Sequence, residues 1–211
     1  MADNSAILLR HTLFMNRQDI DFFDSLAPRW DAAEVRSLPD KVSYILDLIG
    51  LRPGMAVADL GCGTGVLIPH ILRRIAPGGS LDAIDASPGM LAVAKEKFSD
   101  HALRLLDIDF EETSLPRRYD LLILYCVYPH LYRPLETLRR LRDDHLLPDG
   151  RIIIAFPNDE SFVNHVHEGV KEDSRLLPSA PALALSLFDN GFHAKILESS
   201  PEAYIIELVR N

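Results

Sequence analysis

After a short apolar run the sequence reads Asp59-Leu60-Gly61-Cys62-Gly63-Thr64-Gly65, with glycines at alternate positions. Alternating glycines permit a tight turn and remove the side chains that would hold a ligand away from the backbone. If a helix follows, its unpaired N–H groups and its dipole aim at the same place and suit a carboxylate or phosphate. A dinucleotide fingerprint wants glycine at the first, third and sixth positions. Counted from Gly61 the sixth is Val66, so that spacing fails, and a nicotinamide dehydrogenase is disfavoured with it. Asp85 closes the next apolar run. A carboxylate there can accept from two ribose hydroxyls, or it can simply cap the helix that follows.

The remaining candidates are histidines. His130 follows the most apolar stretch of the chain, in Tyr128-Pro129-His130-Leu131. A side chain that titrates near neutrality is apt for taking a proton from a nucleophile, and a packing role at a strand end competes with that reading. His165 and His167 are two residues apart and cannot share one helix face, so a helical metal site is not supported. On an extended segment they would share a side, which leaves a loop metal site open; no metal is assigned.

Strands alternating with helices must position these groups, which predicts a mostly parallel sheet covered on both faces. The expected strands are 55–60, 80–85, 103–107, 119–126, 151–156, 193–198 and 203–209. The expected helices are 66–75, with Pro69 in its first turn, 87–98 opened by Ser87-Pro88, 134–146 and 182–190. Turns fall at Gly78-Gly79 and at Pro148-Asp149-Gly150. Residues 18–49 read as two or three helical pieces broken near Pro28 and Pro39. Residues 157–181, polar and irregular, are expected beside the ligand mouth. The division is an N-terminal helical extension or lid, 1–50, and a ligand-binding domain, 51–211.

The string from Asp59 to Gly65 resembles motif I of the class I S-adenosylmethionine-dependent methyltransferases. The resemblance covers nearly the whole chain and points to a small-molecule branch, methyltransferase type 11 or quinone-methyltransferase-like. Leu51 to Met55 matches the family's lead-in, Leu147 to Arg151 its turn into the fifth strand, and Gly191-Phe192 its break before the sixth. The implied fold is a doubly wound α/β, Rossmann-like sheet of seven strands, with one antiparallel strand near an edge. The implied cofactor is S-adenosyl-L-methionine, held by Asp59, Gly61, Cys62, Gly63 and Gly65, with Asp85 on the ribose. Ala86 and Met90 would flank the adenine, with Asp109 at its amino group, where Asp107 competes, and Phe110 beside the ring. Leu124, Tyr125 and Cys126 would lie under the sulfonium. Trp30, in a segment like the N-terminal helices of that branch, would close over the cofactor or anchor packing. The implied reaction is in-line transfer of the sulfonium methyl to an acceptor, with His130 and His167 as catalytic candidates. His167 with Asn164 matches an Asn-x-x-His element of a bacterial subgroup, whose histidine near Phe156 is missing here.

The chain has 211 residues, 47% hydrophobic and 25% charged, enough for one globular domain with an extension. No apolar run approaches the length of a membrane helix, and the N-terminus lacks the pattern of a secretory signal. Two cysteines form no framework, so a cytoplasmic protein is expected. A formal charge of −9 disfavours nucleic acid. The expected partner is a small molecule, with O-, N-, C- and S-methylation not separated and no oligomeric state implied. The alternative is an inactive S-adenosylmethionine-binding sensor or assembly protein of the same fold.

Overall fold

The computed structural model describes residues 19–33, 39–168 and 176–210. Seven strands form one sheet: β1 (Ala56–Leu60), β2 (Ser80–Asp85), β3 (Leu103–Asp107), β4 (Tyr119–Tyr125), β5 (Leu146–Phe156), β6 (His193–Ser200) and β7 (Ala203–Val209). Their spatial order is β3-β2-β1-β4-β5-β7-β6. All neighbours are parallel except β7, which runs antiparallel to both β5 and β6. From β1 the chain builds outward to β3 on one side, then returns to place β4 on the other. The carboxyl ends of β1 and β4 therefore flank a topological switch point, where ligands bind in open α/β sheets.

Residues 19–26 form α1, followed by single 3-10 turns at Ala27–Arg29 and Asp31–Ala33. The longer helices are α2 (Pro39–Ile49), α3 (Ile68–Ile75), α4 (Pro88–Lys97), α5 (Pro134–His145), α6 (Glu160–Glu168) and α7 (Ala180–Asp189). The unbroken run Leu121-Leu122-Ile123-Leu124 follows from burial on both faces. Leu121 and Ile123 join a core with α2 and α3, while Leu122 and Leu124 join the opposite core with α5 and α7. On α2 the stripe Val42, Ile45, Leu46 and Ile49 is fully covered, and each such side chain contributes about 1.5–3 kcal/mol of burial.

The structure differs from the sequence reading in two places. Pro148-Asp149-Gly150 does not separate two elements, because β5 already starts at Leu146. Tyr119 pairs with Leu146 while Leu121 pairs with Arg151, so the expected turn is a bulge within one strand. Residues 160–168 are helical rather than irregular. Asp159 is the reason: its Oδ1 accepts from the Phe162 N–H at 2.9 Å, capping the first turn.

Candidate functional site

The turn after β1 is held against β2, with the N–H groups of Gly61 and Cys62 both donating to the Ile84 carbonyl oxygen. Gly61 must lack a side chain, since a β-carbon there would stand 2.6 Å from Val127 Cγ2. Gly63 has a φ of 54° and donates its N–H to Asp85 Oδ2 at 2.7 Å. Asp85 Oδ1 accepts from the Ser87 N–H at 2.9 Å. The strand-end carboxylate thus spans the gap between the glycine turn and the start of α4. Ser87 Oγ accepts from the Met90 N–H, so the expected cap of α4 is present.

Above this turn lies a cleft of about 170 Å³. Five carboxylates line it, those of Asp19, Asp59, Asp85, Asp109 and Glu111, and no lysine or arginine does among the described residues. Asp59 is 1% exposed and its Oδ2 has no hydrogen-bond partner among them. Burial, with Asp85 adding to it, pushes the Asp59 carboxyl up to about 7. Burial raises Asp85 too, against the N–H groups of Ser87, Gly63 and Ala86 that favour its ionised form. Two buried carboxylates at one cleft call for a cation or a strong donor between them. A pyrophosphate would face these acidic residues with no lysine or arginine among the described residues to offset them.

Trp30, Asp59, Gly61, Cys62, Gly63, Asp85, Ala86, Met90, Asp109, Phe110, Tyr125 and His130, all singled out in the sequence, line this cleft together. Asp107, on the outer strand β3, does not. Gly65 is also outside it: a β-carbon there would meet Ile68 and Phe98 at 2.7 Å, so this glycine serves the packing of α3. Asn164 accepts from the Leu177 N–H and donates to its carbonyl oxygen, pinning the returning chain to α6. His165 is exposed, and the side chain of His167 lies outside the described residues. Among the described residues no cluster of three His, Cys, Asp or Glu side chains is placed to hold a metal ion.

Several contacts around the cleft join residues far apart in sequence and leave no local pattern. Asp24 Oδ1 accepts from Ser87 Oγ and from the Gly89 N–H, which fastens α1 to the start of α4. Asp31 accepts from Thr64 Oγ1 at 2.5 Å and from Lys97 Nζ at 2.7 Å. Burial works to raise Asp31, but the bonds from Lys97 and Thr64 prevail and hold it below the usual range. Between these two latches, Phe23 stacks edge-on against Trp30 at 5.7 Å and against His130 at 5.1 Å. Glu111 accepts from the N–H groups of Tyr132 and Arg133 and from Thr137 Oγ1, tying the loop after β3 to the segment that carries His130. Cys126, at the end of β4, holds a left-handed φ of 60°.

A family model described as a methyltransferase domain matches residues 58–152. A malonyl-[acyl-carrier protein] O-methyltransferase of Anoxybacillus flavithermus is 28% identical over 153 residues, 68% of this chain and 58% of that protein. Its counterpart in Priestia megaterium is 31% identical over 142 residues, 66% of this chain and 51% of that protein. The chain thus spans little more than half the length of these curated relatives. Among solved structures, the DhpI-SAH complex superposes with a TM-score of 0.73 at 18% identity, covering 92% of this chain and 96% of that one. That likeness is one of fold.

Proposed function

We propose that this chain is a class I S-adenosylmethionine-dependent methyltransferase that transfers a methyl group from S-adenosylmethionine to a small-molecule acceptor, a reading supported by the methyltransferase-domain match and the methyltransferase relatives. The observation that carries the proposal is the orphaned Asp59 Oδ2 in a cleft lined by five carboxylates and, among the described residues, no lysine or arginine. That arrangement fits a nucleoside with a cationic tail. When bound, S-adenosylmethionine supplies a methyl group on positively charged sulfur, so an acceptor lone pair displaces S-adenosylhomocysteine in line and any acceptor proton leaves to a base.

The protein's task is then binding, alignment and exclusion of water. Asp85 retains lone pairs beyond those used by Gly63 and Ser87, and these accept from ribose hydroxyls. Met90 and Phe110, both buried, enclose the base with Ala86, and Asp109 lies within reach of its edge. Asp59 takes the ammonium of the tail, while Gly61, Cys62, Gly63 and Tyr125 shape its channel. Trp30 and Phe23, held down through Asp24 and Asp31, form the lid, a role that falls to residues 19–33, while α2 of the same N-terminal extension packs into the core. His130 faces the cleft beneath that lid and serves as base where the acceptor must lose a proton. Alignment of this kind supplies roughly 7–11 kcal/mol in favourable cases.

Cys62 and Cys126 are not joined in a disulfide, and among the described residues no helix is long and apolar enough to cross a membrane. Isothermal titration should give micromolar binding of S-adenosylmethionine, roughly −8 kcal/mol, and Asp85→Ala should weaken it by about 1.5–3 kcal/mol. Binding without any S-adenosylhomocysteine formed across a broad acceptor panel would replace transfer by a binding role.

A further inference from the structure

A second cavity, of about 30 Å³, opens between the end of β5 and α6. Phe156, Pro157 and Asn158 bound it on the strand side, and Phe162, Val163 and Val166 bound it from one face of the helix. Apart from the Asn158 amide the lining is apolar. Cys126 lines this cavity and the main cleft alike, so the two spaces adjoin on either side of that residue. Its place is fixed from both sides, by its left-handed backbone and by its N–H donating to the Ala155 carbonyl oxygen at 2.9 Å. Lys41 reaches the rim, where its Nζ donates to the Pro157 carbonyl oxygen at 2.7 Å. Phe162 stands 40% exposed beside the space, an apolar surface that a ligand would cover.

We infer that this cavity is the acceptor subsite for a compact, uncharged apolar group carried next to the atom that receives the methyl. A branched alkyl group or the edge of a ring matches it in size, since one water needs roughly 10–15 Å³ of such space. Cys126 is the specificity-determining residue at the throat, setting how wide a group can pass from the cleft. The cleft, where the accepting atom sits, is lined by five acidic residues and by no lysine or arginine among the described residues, so an anionic head turned into it is rejected; Lys41, at the rim of the smaller cavity, is engaged by the Pro157 carbonyl oxygen. The inference rests on the methyltransferase reading of the cleft.

The test uses the full chain with methyl-labelled valine, saturated with S-adenosylhomocysteine and titrated with isobutanol or isovalerate. These probes share an apolar group and differ in charge. Isobutanol is expected to shift the Val163 and Val166 methyl signals saturably, and isovalerate to bind at least tenfold more weakly. Val163→Phe should abolish the shifts while S-adenosylhomocysteine affinity stays within twofold. If that variant fails to fold, Val166→Phe at the less buried position takes its place. Cys126→Gly, which suits the left-handed backbone, should admit the wider cyclohexylmethanol that the parent excludes. Valine signals unmoved with S-adenosylhomocysteine bound, or equal binding of the two probes, would overturn the subsite alone. Failure of S-adenosylhomocysteine to bind at all would overturn the reading on which it rests.

Discussion

Asp59 gives the sharpest handle on the cleft, because its protonation should be coupled to binding. In the free protein burial and Asp85 hold its carboxyl at about 7. A ligand ammonium at Oδ2 favours the ionised form, so below that pH binding must expel a proton. The sign follows: affinity rises with pH up to about 7 and flattens above it. Taking the bound carboxyl back to its ordinary range, binding should weaken roughly 25-fold, about 2 kcal/mol, between about pH 7.5 and pH 5.5. The unliganded fold should show the opposite trend, losing stability as pH rises from about 4 to 7, since the folded state favours the protonated acid. Isothermal titration with S-adenosylmethionine, in buffers of different ionisation enthalpy, reads both the affinity and the proton released. Asp59→Asn should flatten the pH dependence and, near pH 7.5, weaken binding by about 1.5–3 kcal/mol. A pH-independent affinity in the parent, or a slope that survives in Asp59→Asn, would refute the assignment.

Glu111→Ala removes the acceptor for Tyr132, Arg133 and Thr137. It should cost about 1–3 kcal/mol in chemical denaturation, with Glu111→Gln recovering part of it; equal stability would show that the clamp is idle. His145 is buried, with Nε2 accepting from the Leu115 N–H and Nδ1 against the Arg117 carbonyl oxygen, and burial lowers its pKa. Its folded value lies below the unfolded one, so stability should fall as pH drops below about 6.5, and urea midpoints for His145→Gln should fall less steeply. Gly61→Ala should weaken S-adenosylmethionine binding by displacing Val127, and Val127→Ala in the same chain should restore part of it; no rescue would place the damage elsewhere.

The parts of the fold that were legible in the sequence are those specified by neighbouring residues. The β1–α3 glycine turn, the Ser87-Pro88 start of α4 and the doubly buried strand β4 each follow from a few adjacent side chains, and they carry most of the cleft. The parts that were not legible depend on distant partners. Asp24 and Asp31 are ordinary surface acids until Ser87, Thr64 and Lys97 are brought beside them. Gly65 fits the motif by spacing, yet its missing side chain makes room for Ile68 and Phe98. The segment after β5 looked irregular because its polar face hides the α6 pattern, although Asp159 three residues before Phe162 is a readable cap. Among the described residues none of this segment lines the main cleft; it borders the smaller cavity, which shares Cys126 with the cleft.

The most direct test of the central claim is a crystal structure grown with S-adenosylhomocysteine. The account predicts the ribose hydroxyls on Asp85, the ammonium on Asp59 Oδ2, the adenine between Met90 and Phe110, and Trp30 closed over the tail. The product seated elsewhere, or in this cleft with Asp59 Oδ2 still unpartnered, would contradict it.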